Sequence, residues 1–362
     1  EALMKYAIVI PALNPDEKMT AFVRELVQAG YENIVLVNDG SKQEYVRYFD
    51  EAAAWPQVTV LTHEVNRGKG AGLKTAFNYL YTQRKDIDAA ITADADGQHT
   101  VESIGRCVKA FEETSGSVIF GGREFSDKNI PLRSRFGNKV SSVVYRFSCG
   151  IKLNDTQTGL RIIPAAYFEK FSTLKGDRYE YETNMIIAVR ELDIPYREVP
   201  IETIYINENE SSHFNPVKDS FRIYKIVLGY FVKFLASSLF SWLVDIGVYT
   251  LVVALVEGKV DDGTKQILAG AASRIISSIV NYIINRKVVF KAVDNVKKTA
   301  VRYYILAACQ MLISILLVHV FADSLLHIRG LWNTVVKCVV DACLFIFSYG
   351  IQRRWVFKNK KI

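Results

Sequence analysis

The apolar positions of this chain fall into two regimes. Up to about Lys225, short β-branched runs alternate with stretches of helical spacing, and charged residues are frequent. Beyond it come apolar runs long enough to cross roughly 30 Å of hydrocarbon. In the first regime Tyr6–Ile10 stops at Pro11 and reads as a buried strand. Asp16-Glu17 open a helical pattern that puts Phe22, Val23, Leu26 and Val27 on one face. Asn33–Val37, Thr59–Leu61 and Ala89–Thr92 are three further strands, with a helix over Leu73–Tyr81 between the last two. This alternation predicts an α/β domain with a mostly parallel sheet over residues 1–215. Such sheets bind ligands at the carboxyl ends of their strands. The polar clusters Asn38-Asp39-Gly40-Ser41, Asn66-Arg67-Gly68-Lys69-Gly70 and Asp94-Ala95-Asp96-Gly97 all fall at such ends.

In the second regime, stretches near 230–256, 266–289, 302–325 and 331–352 predict an all-α transmembrane four-helix domain over 230–362. Asp245, Arg274, Asn281, Lys337 and Asp341 interrupt them; polar groups are costly in lipid, so they are expected to face the bundle. Between the domains, residues 216–229 combine Lys218, Arg222 and Lys225 with Phe221, Ile223, Ile226 and Val227. That composition predicts an amphipathic interfacial helix on an anionic leaflet. Two copies of a similar segment, Asn281–Lys291 and Ser348–Lys358, point to a duplicated helical hairpin.

The net charge of +7 gains meaning from its placement. Arg286, Lys287, Lys291, Lys297, Lys298 and Arg302 follow the second span, and Arg353, Arg354, Lys358, Lys360 and Lys361 follow the fourth. The positive-inside rule then places the first domain and both termini in the cytosol, in a multi-pass protein of the cell membrane. This basicity speaks for membrane rather than nucleic acid. Met4-Lys5 leads straight into a strand, so no signal peptide is expected. The five cysteines include no CxxC pair and read as buried small residues.

Each polar cluster is weak alone. Asp39-Gly40-Ser41 is a common turn signal. Gly68-Lys69-Gly70 lacks P-loop spacing, and Gln98 and Ser103 occupy positions where an EF-hand needs ligands. In order along four strand ends, with Ile8–Ala12 and Asp94–His99, they resemble the family 2 glycosyltransferases of GT-A fold. The resemblance runs on through Gly121-Gly122-Arg123, Pro131–Asn138, Asp155–Arg161 and Ser212–Pro216. This later set is similar to the polyprenyl-phosphate branch, the dolichol-phosphate mannose and bactoprenol glucose synthases. The membrane half resembles the four-span GtrA-like family.

A nucleotide-sugar donor leaves as a nucleoside diphosphate, and a divalent cation stabilises that charge. Mg²⁺ or Mn²⁺ prefers oxygen ligands. Asp94, Asp96 and Gln98, two residues apart on an extended segment, project to one side and can supply them. The resemblance implies the same three. It also implies that Pro11 and Asp39 flank the nucleobase, and Asn14 and Lys69 complete the nucleotide-sugar set. Asn38 and Asn14-Pro15 depart from the common family pattern, so UDP- and GDP-sugars both stay open, with UDP-glucose ahead. An ionised lipid phosphate can attack without a general base but needs cations to hold it; Arg123, Arg133 and Arg135 suit this, and His213 is expected at the headgroup. Asp155, alone a turn or helix cap, is placed by the resemblance in the active site near the sugar, a catalytic residue with Asp94 and Asp96. Glu180 and Glu182 either touch sugar hydroxyls or cap a helix start; Arg161 joins them as a sugar contact. The expected reaction is inverting, metal-dependent hexosyl transfer from a nucleotide-diphosphate sugar to a polyprenyl phosphate, undecaprenyl or dolichyl. Homo-oligomerisation is left open. The alternatives are a flippase for the lipid-linked sugar and a processive polysaccharide synthase, against which Gln352-Arg353-Arg354-Trp355 has the wrong spacing for a QxxRW motif.

Overall fold

The computed structural model describes residues 4–114, 116–123, 132–202, 218–292, 294–321 and 331–357. The chain divides into two compact units, Glu1–Val227 and Leu228–Ile362.

The first unit runs β1 (Tyr6–Ala12), α1 (Glu17–Gln28), β2 (Ile34–Asp39), α2 (Gln43–Ala53), β3 (Val58–His63), α3 (Lys69–Gln83), β4 (Ala89–Thr92), α4 (Val101–Glu113) and β5 (Val118–Arg123). It continues with α5 (Leu132–Ser148), β6 (Arg161–Pro164), α6 (Phe168–Ser172), α7 (Glu180–Glu191), β7 (Tyr196–Ile201) and α8 (Lys218–Val227). The seven strands form one sheet in the order β3-β2-β1-β4-β6-β5-β7. Only β6 runs against its neighbours, antiparallel to β4 and β5. The mostly parallel α/β architecture predicted from the sequence is therefore observed.

Alternation explains the two layers of core. Ala7, Val9, Val35 and Val37 point to one face, where they meet Leu73 and Phe77 of α3 and Met185 of α7. Ile8, Ile10, Ile34 and Leu36 point to the other, against Phe22 and Leu26 of α1 and Ile104 of α4. Each large side chain buried this way contributes about 1.5–3 kcal/mol. Helix starts are fixed locally: Asp16 Oδ1 accepts from Lys18 N at 3.0 Å, and Thr100 Oγ1 accepts from Ser103 N at 3.1 Å. The parallel register pairs Ala12 with Asn38, so β1 and β2 end together, and Val9 with Thr92, so β4 stops earlier on the same edge. That shared edge holds the site.

α8 packs part of its apolar stripe on the first unit. Val227 is fully buried, and Ile223 and Ile226 pack on the same core. Phe221, 69% exposed, is the apolar residue left for a membrane surface.

The second unit consists of α9 (Gly229–Val256), α10 (Asp262–Ile284), α11 (Val296–Val318) and α12 (Leu331–Ile351). All four are long and apolar enough to cross a membrane. The repeated segments fold alike. Asn285 and Gln352 each open one wide turn, closed by Phe290 N to Asn285 O and Phe357 N to Gln352 O, both at 2.8 Å. Phe290 and Phe357 then stack at 5.2 Å. Asp245 accepts from Ser277 Oγ at 2.9 Å and Asn281 from Tyr303 Oη at 2.9 Å. Arg274 departs from the expected inward orientation: its side chain is 81% exposed.

Candidate active site

The site is built from the loops that leave β1, β2, β3 and β4. Gly40 follows β2 at φ +68°, in the left-handed region, where a Cβ would run into the backbone of Val65 and Asn66. Ser41 N donates to Asn38 Oδ1 at 2.9 Å. Asn14 N donates to Ser41 Oγ at 2.8 Å, and Asn14 Oδ1 accepts from Lys42 N at 2.9 Å. These bonds lace the ends of β1 and β2 together.

Asp39 has a task that its expected contact with a nucleobase did not include. Its two oxygens accept from Arg67 N at 2.9 Å and Gly68 N at 2.7 Å, and His63 Nδ1 lies 2.7 Å away. His63 Nε2 meets Thr75 Oγ1 at 2.8 Å. The carboxylate thus fixes the β3–α3 loop and also forms part of the pocket wall.

That loop delivers Lys69 as the first residue of α3. Its ammonium lies 2.6 Å from Asp94 Oδ1 and 3.1 Å from Glu182 Oε1, joining the end of β4 to α7. Asp94 and Asp96 do not lie on an extended segment, contrary to the expectation. The chain turns at Ala95-Asp96, Gly97 has φ +71°, and Gln98 N donates to Asp96 Oδ1 at 3.0 Å. The turn forms because Asp96 satisfies a backbone donor two residues on. Gln98 therefore takes its position from a turn and not from strand alternation.

His99, which the motif contains but to which no role was assigned, completes the local charge balance. It is buried, its Nε2 is 3.7 Å from Asp94 Oδ2, and its Nδ1 has no hydrogen-bond partner among the described residues. Burial alone would raise the Asp94 carboxyl, but Lys69 and His99 outweigh it and hold the group well below the usual range. Asp96 is pushed up, first by burial and then by the charge of Asp94. Burial would lower Lys69; Asp94 and Glu182 raise it instead. Gly159 lets this cluster form, since a Cβ there would lie 2.5 Å from Asp94 Oδ2.

On the far side of the sheet Asp155 is fully buried. Arg123 grips it with Nε to Oδ2 at 2.6 Å and Nη2 to Oδ1 at 3.1 Å, and Gln157 N donates to Oδ1 at 3.0 Å. Glu198 Oε1 accepts from Asp155 N at 2.7 Å, and Asn138 Oδ1 accepts from Thr156 N at 3.3 Å. Neither Glu198 nor Asn138 was singled out from the sequence. The one signal for Glu198 is an acid inside the strand-like Tyr196–Ile201. Arg161, expected at the sugar, is 1% exposed. Its guanidinium donates to Thr158 O at 3.1 and 3.2 Å and to Glu182 O at 2.9 Å, which makes it a brace between the Asp155–Gly159 loop and α7. Glu180 Oε1 accepts from Asp177 N at 3.2 Å and Arg178 N at 3.4 Å, which ties it to the turn that precedes α7. Arg135 lies half-buried in α5. The Arg133 side chain and His213 lie outside the described residues.

The structure brings Pro11, Asn14, Asp39, Lys69, Asp94 and Asp96 together around one cavity of about 390 Å³, which Arg178 and Tyr179 also line. Among the described residues no group of three His, Cys, Asp or Glu is arranged to hold a metal ion. Asp94 and Asp96, two carboxylates beside the cavity with Lys69 bonded to Asp94 alone of the pair, suit a hard cation that brings further oxygen ligands with it, such as those of a diphosphate. The donor set therefore fits Mg²⁺ or Mn²⁺ arriving with a nucleotide.

Comparison with known proteins bears on the same residues. Residues 7–171 match Glycosyl transferase family 2, and residues 233–357 match the GtrA/DPMS transmembrane domain. An uncharacterized protein of Methanocaldococcus jannaschii is 31% identical over 227 residues, 61% of this chain and 90% of that protein. The UDP-N-acetylglucosamine–dolichyl-phosphate N-acetylglucosaminyltransferase of Methanococcus voltae is 30% identical over 217 residues, 55% of this chain and 85% of that enzyme. The polyprenol monophosphomannose synthase of Mycolicibacterium smegmatis is 25% identical over 202 residues, 54% and 75% of the two chains. With its strand-end pocket and four apolar helices, the chain belongs to glycosyl transferase family 2 and is a glycosyltransferase carrying a GtrA/DPMS transmembrane domain.

Proposed function

We propose that the protein transfers a hexose from a nucleoside-diphosphate sugar to a polyprenyl phosphate at the cytosolic membrane face, with inversion. The observation that carries this reading is the cavity at the ends of β1, β2 and β4, walled by Pro11, Asn14, Asp39, Lys69, Asp94 and Asp96. Pro11, Asn14 and Asp39 bound the nucleobase end. Asp94 and Asp96 hold Mg²⁺ or Mn²⁺, which when bound neutralises the departing diphosphate. Lys69 offers a second positive charge to the same phosphates. The named relatives use an N-acetylglucosamine or mannose donor with a dolichyl or polyprenyl acceptor, which supports the lipid class and leaves the sugar open.

The acceptor phosphate is ionised near neutral pH, so the chain needs to orient it rather than deprotonate it. Arg135 binds it directly. Arg123 is held by Asp155 through two hydrogen bonds, so Asp155 acts by positioning Arg123. Domains at 1–215 and 230–362 then supply chemistry and anchorage. A thermal-shift screen tests the donor assignment, because a ligand that binds the native state raises its melting point. A UDP- or GDP-sugar with Mn²⁺ is expected to raise Tm; no shift with any nucleotide sugar contradicts the reading.

A second reading, translocation of the lipid-linked sugar, is favoured by one feature of the membrane unit. Lys337, Asp341 and Ser348 of α12 and Gln352 just after it line, with Gln310 and Ser314 of α11, a cavity of about 420 Å³. Ser314 Oγ donates to Asp341 at 2.6 Å, and Ser348 Oγ to Gln310 at 3.1 Å. Polar groups at membrane depth are retained where they line a path for polar cargo. Liposomes containing Ser348→Leu protein are expected to translocate the lipid-linked sugar more slowly than wild type; equal rates remove this reading.

A further inference from the structure

The two acids of the donor pocket face a cation that the chain itself provides. Lys69 Nζ is 2.6 Å from Asp94 Oδ1, closer than to any other described partner, while Glu182 Oε1 stands 3.1 Å away on its other side. The Lys69 side chain is 20% exposed, that of Asp94 30% and that of Glu182 14%. All three therefore sit where charge interactions are strong and poorly screened. Lys69 is also fixed at its root. It is the first residue of α3, after Gly68 at φ +102°, and Asp39 clamps the backbone of that loop. The ammonium has a short radius of movement, and two carboxylates lie within it.

We propose that Lys69 is a built-in placeholder for the divalent cation: it neutralises Asp94 while the pocket is empty and passes to Glu182 when a metal ion arrives. This rests on the metal reading of Asp94 and Asp96. A cation approaching Asp94 must compete with an ammonium at hydrogen-bond distance. Glu182 lowers the cost of that exchange, because the displaced Lys69 is left with a carboxylate and not stranded in a part-buried site. Arg161 Nη2 lies 3.9 Å from Glu182 Oε1, and Arg161 Nη1 donates to Glu182 O at 2.9 Å, which holds Glu182 in place for this task. The arrangement also links metal entry to the donor, since a released ammonium beside the cavity can turn to a diphosphate. Lys69 is here a positioning residue for the ion, and Glu182 its second anchor.

The test is Mn²⁺ binding to the full-length protein in detergent without nucleotide, read as free Mn²⁺ by electron paramagnetic resonance. Lys69→Met removes the competitor and is expected to bind Mn²⁺ about tenfold more tightly than wild type. Glu182→Gln removes the second anchor, leaves Lys69 on Asp94, and is expected to bind several-fold more weakly. Structural damage would weaken binding in both variants, so the opposite signs are the signature. Equal or weaker binding by Lys69→Met, with an unchanged far-ultraviolet circular dichroism spectrum, overturns the placeholder and leaves the metal reading intact. Wild-type protein that binds no Mn²⁺, or Asp96→Asn protein that binds it as well as wild type, overturns both.

Discussion

In the β3-β2-β1-β4 half of the sheet, Asp94 and Asp96 face a cavity; Lys69 pairs with Asp94 but also serves Glu182, and His99 stands 3.7 Å from Asp94. In the β6-β5-β7 half, Asp155 is fully buried with Arg123 on both its oxygens and backbone donors around it. Both halves place acids beside strand ends. They differ in whether the fold completes the pairing. A carboxylate whose partners are all supplied by the chain positions its neighbours. One left short of positive charge is poised for a cation from outside.

That difference can be broken from either side. The largest stability loss is expected for Asp155→Ala, which removes a fully buried carboxylate that pairs with the part-buried Arg123 guanidinium and accepts from Gln157 N. Breaking a buried pair by removing one partner costs about 3–5 kcal/mol. Chemical denaturation of the detergent-solubilised protein should show the loss, and a cost under about 1 kcal/mol would mean the pair is not structural. Asp39→Ala comes next. It removes the acceptor of Arg67 N, Gly68 N and His63 together, so a loss of about 1–3 kcal/mol is expected. The same denaturation curve checks it.

Gly159→Ala separates ligand binding from stability. The new methyl meets the end of the Asp94 side chain, which can turn aside cheaply. Donor affinity in the presence of Mn²⁺ should fall about tenfold while stability changes by no more than about 0.5 kcal/mol. A large Tm loss would show that Asp94 is locked in place. The smallest effect lies at the opposite end of the strands. The bond from Arg84 holds the Asp86 carboxyl down to about 2. Because the folded value lies below the unfolded one, the stabilisation is present above pH 4 and lost as pH falls towards 2. The side chain is 44% exposed, so screening keeps it within about 0.5 kcal/mol. Asp86→Asn should flatten that small acid-side slope.

The first half of the sheet was legible in the sequence because each strand is a compact apolar run ending in turn residues. Ala89–Thr92 was placed to the residue. The second half was not. Val118–Arg123 ends in Gly121-Gly122-Arg123 and read as a motif, and Arg161–Pro164 is four residues long behind a polar loop. β6 also enters antiparallel, which no local pattern announces. The grouping of six residues around one cavity was legible because they cluster within four strand ends. Their long-range partners were not: Lys69 and Glu182 are 113 positions apart, and Arg123 and Asp155, each picked for a separate task, are 32 apart. Arg161 was misplaced because a buried arginine satisfied by backbone carbonyls looks, in sequence, like one that meets a ligand.

The most direct test is transfer of radiolabelled sugar from UDP- and GDP-sugars to purified polyprenyl phosphate with Mn²⁺, comparing wild type with Asp96→Ala. The account predicts an organic-extractable product that needs the metal and falls by a factor of about 10²–10³ in the variant, whose fold is unchanged. No product from any nucleotide sugar, or full activity in Asp96→Ala, would contradict it.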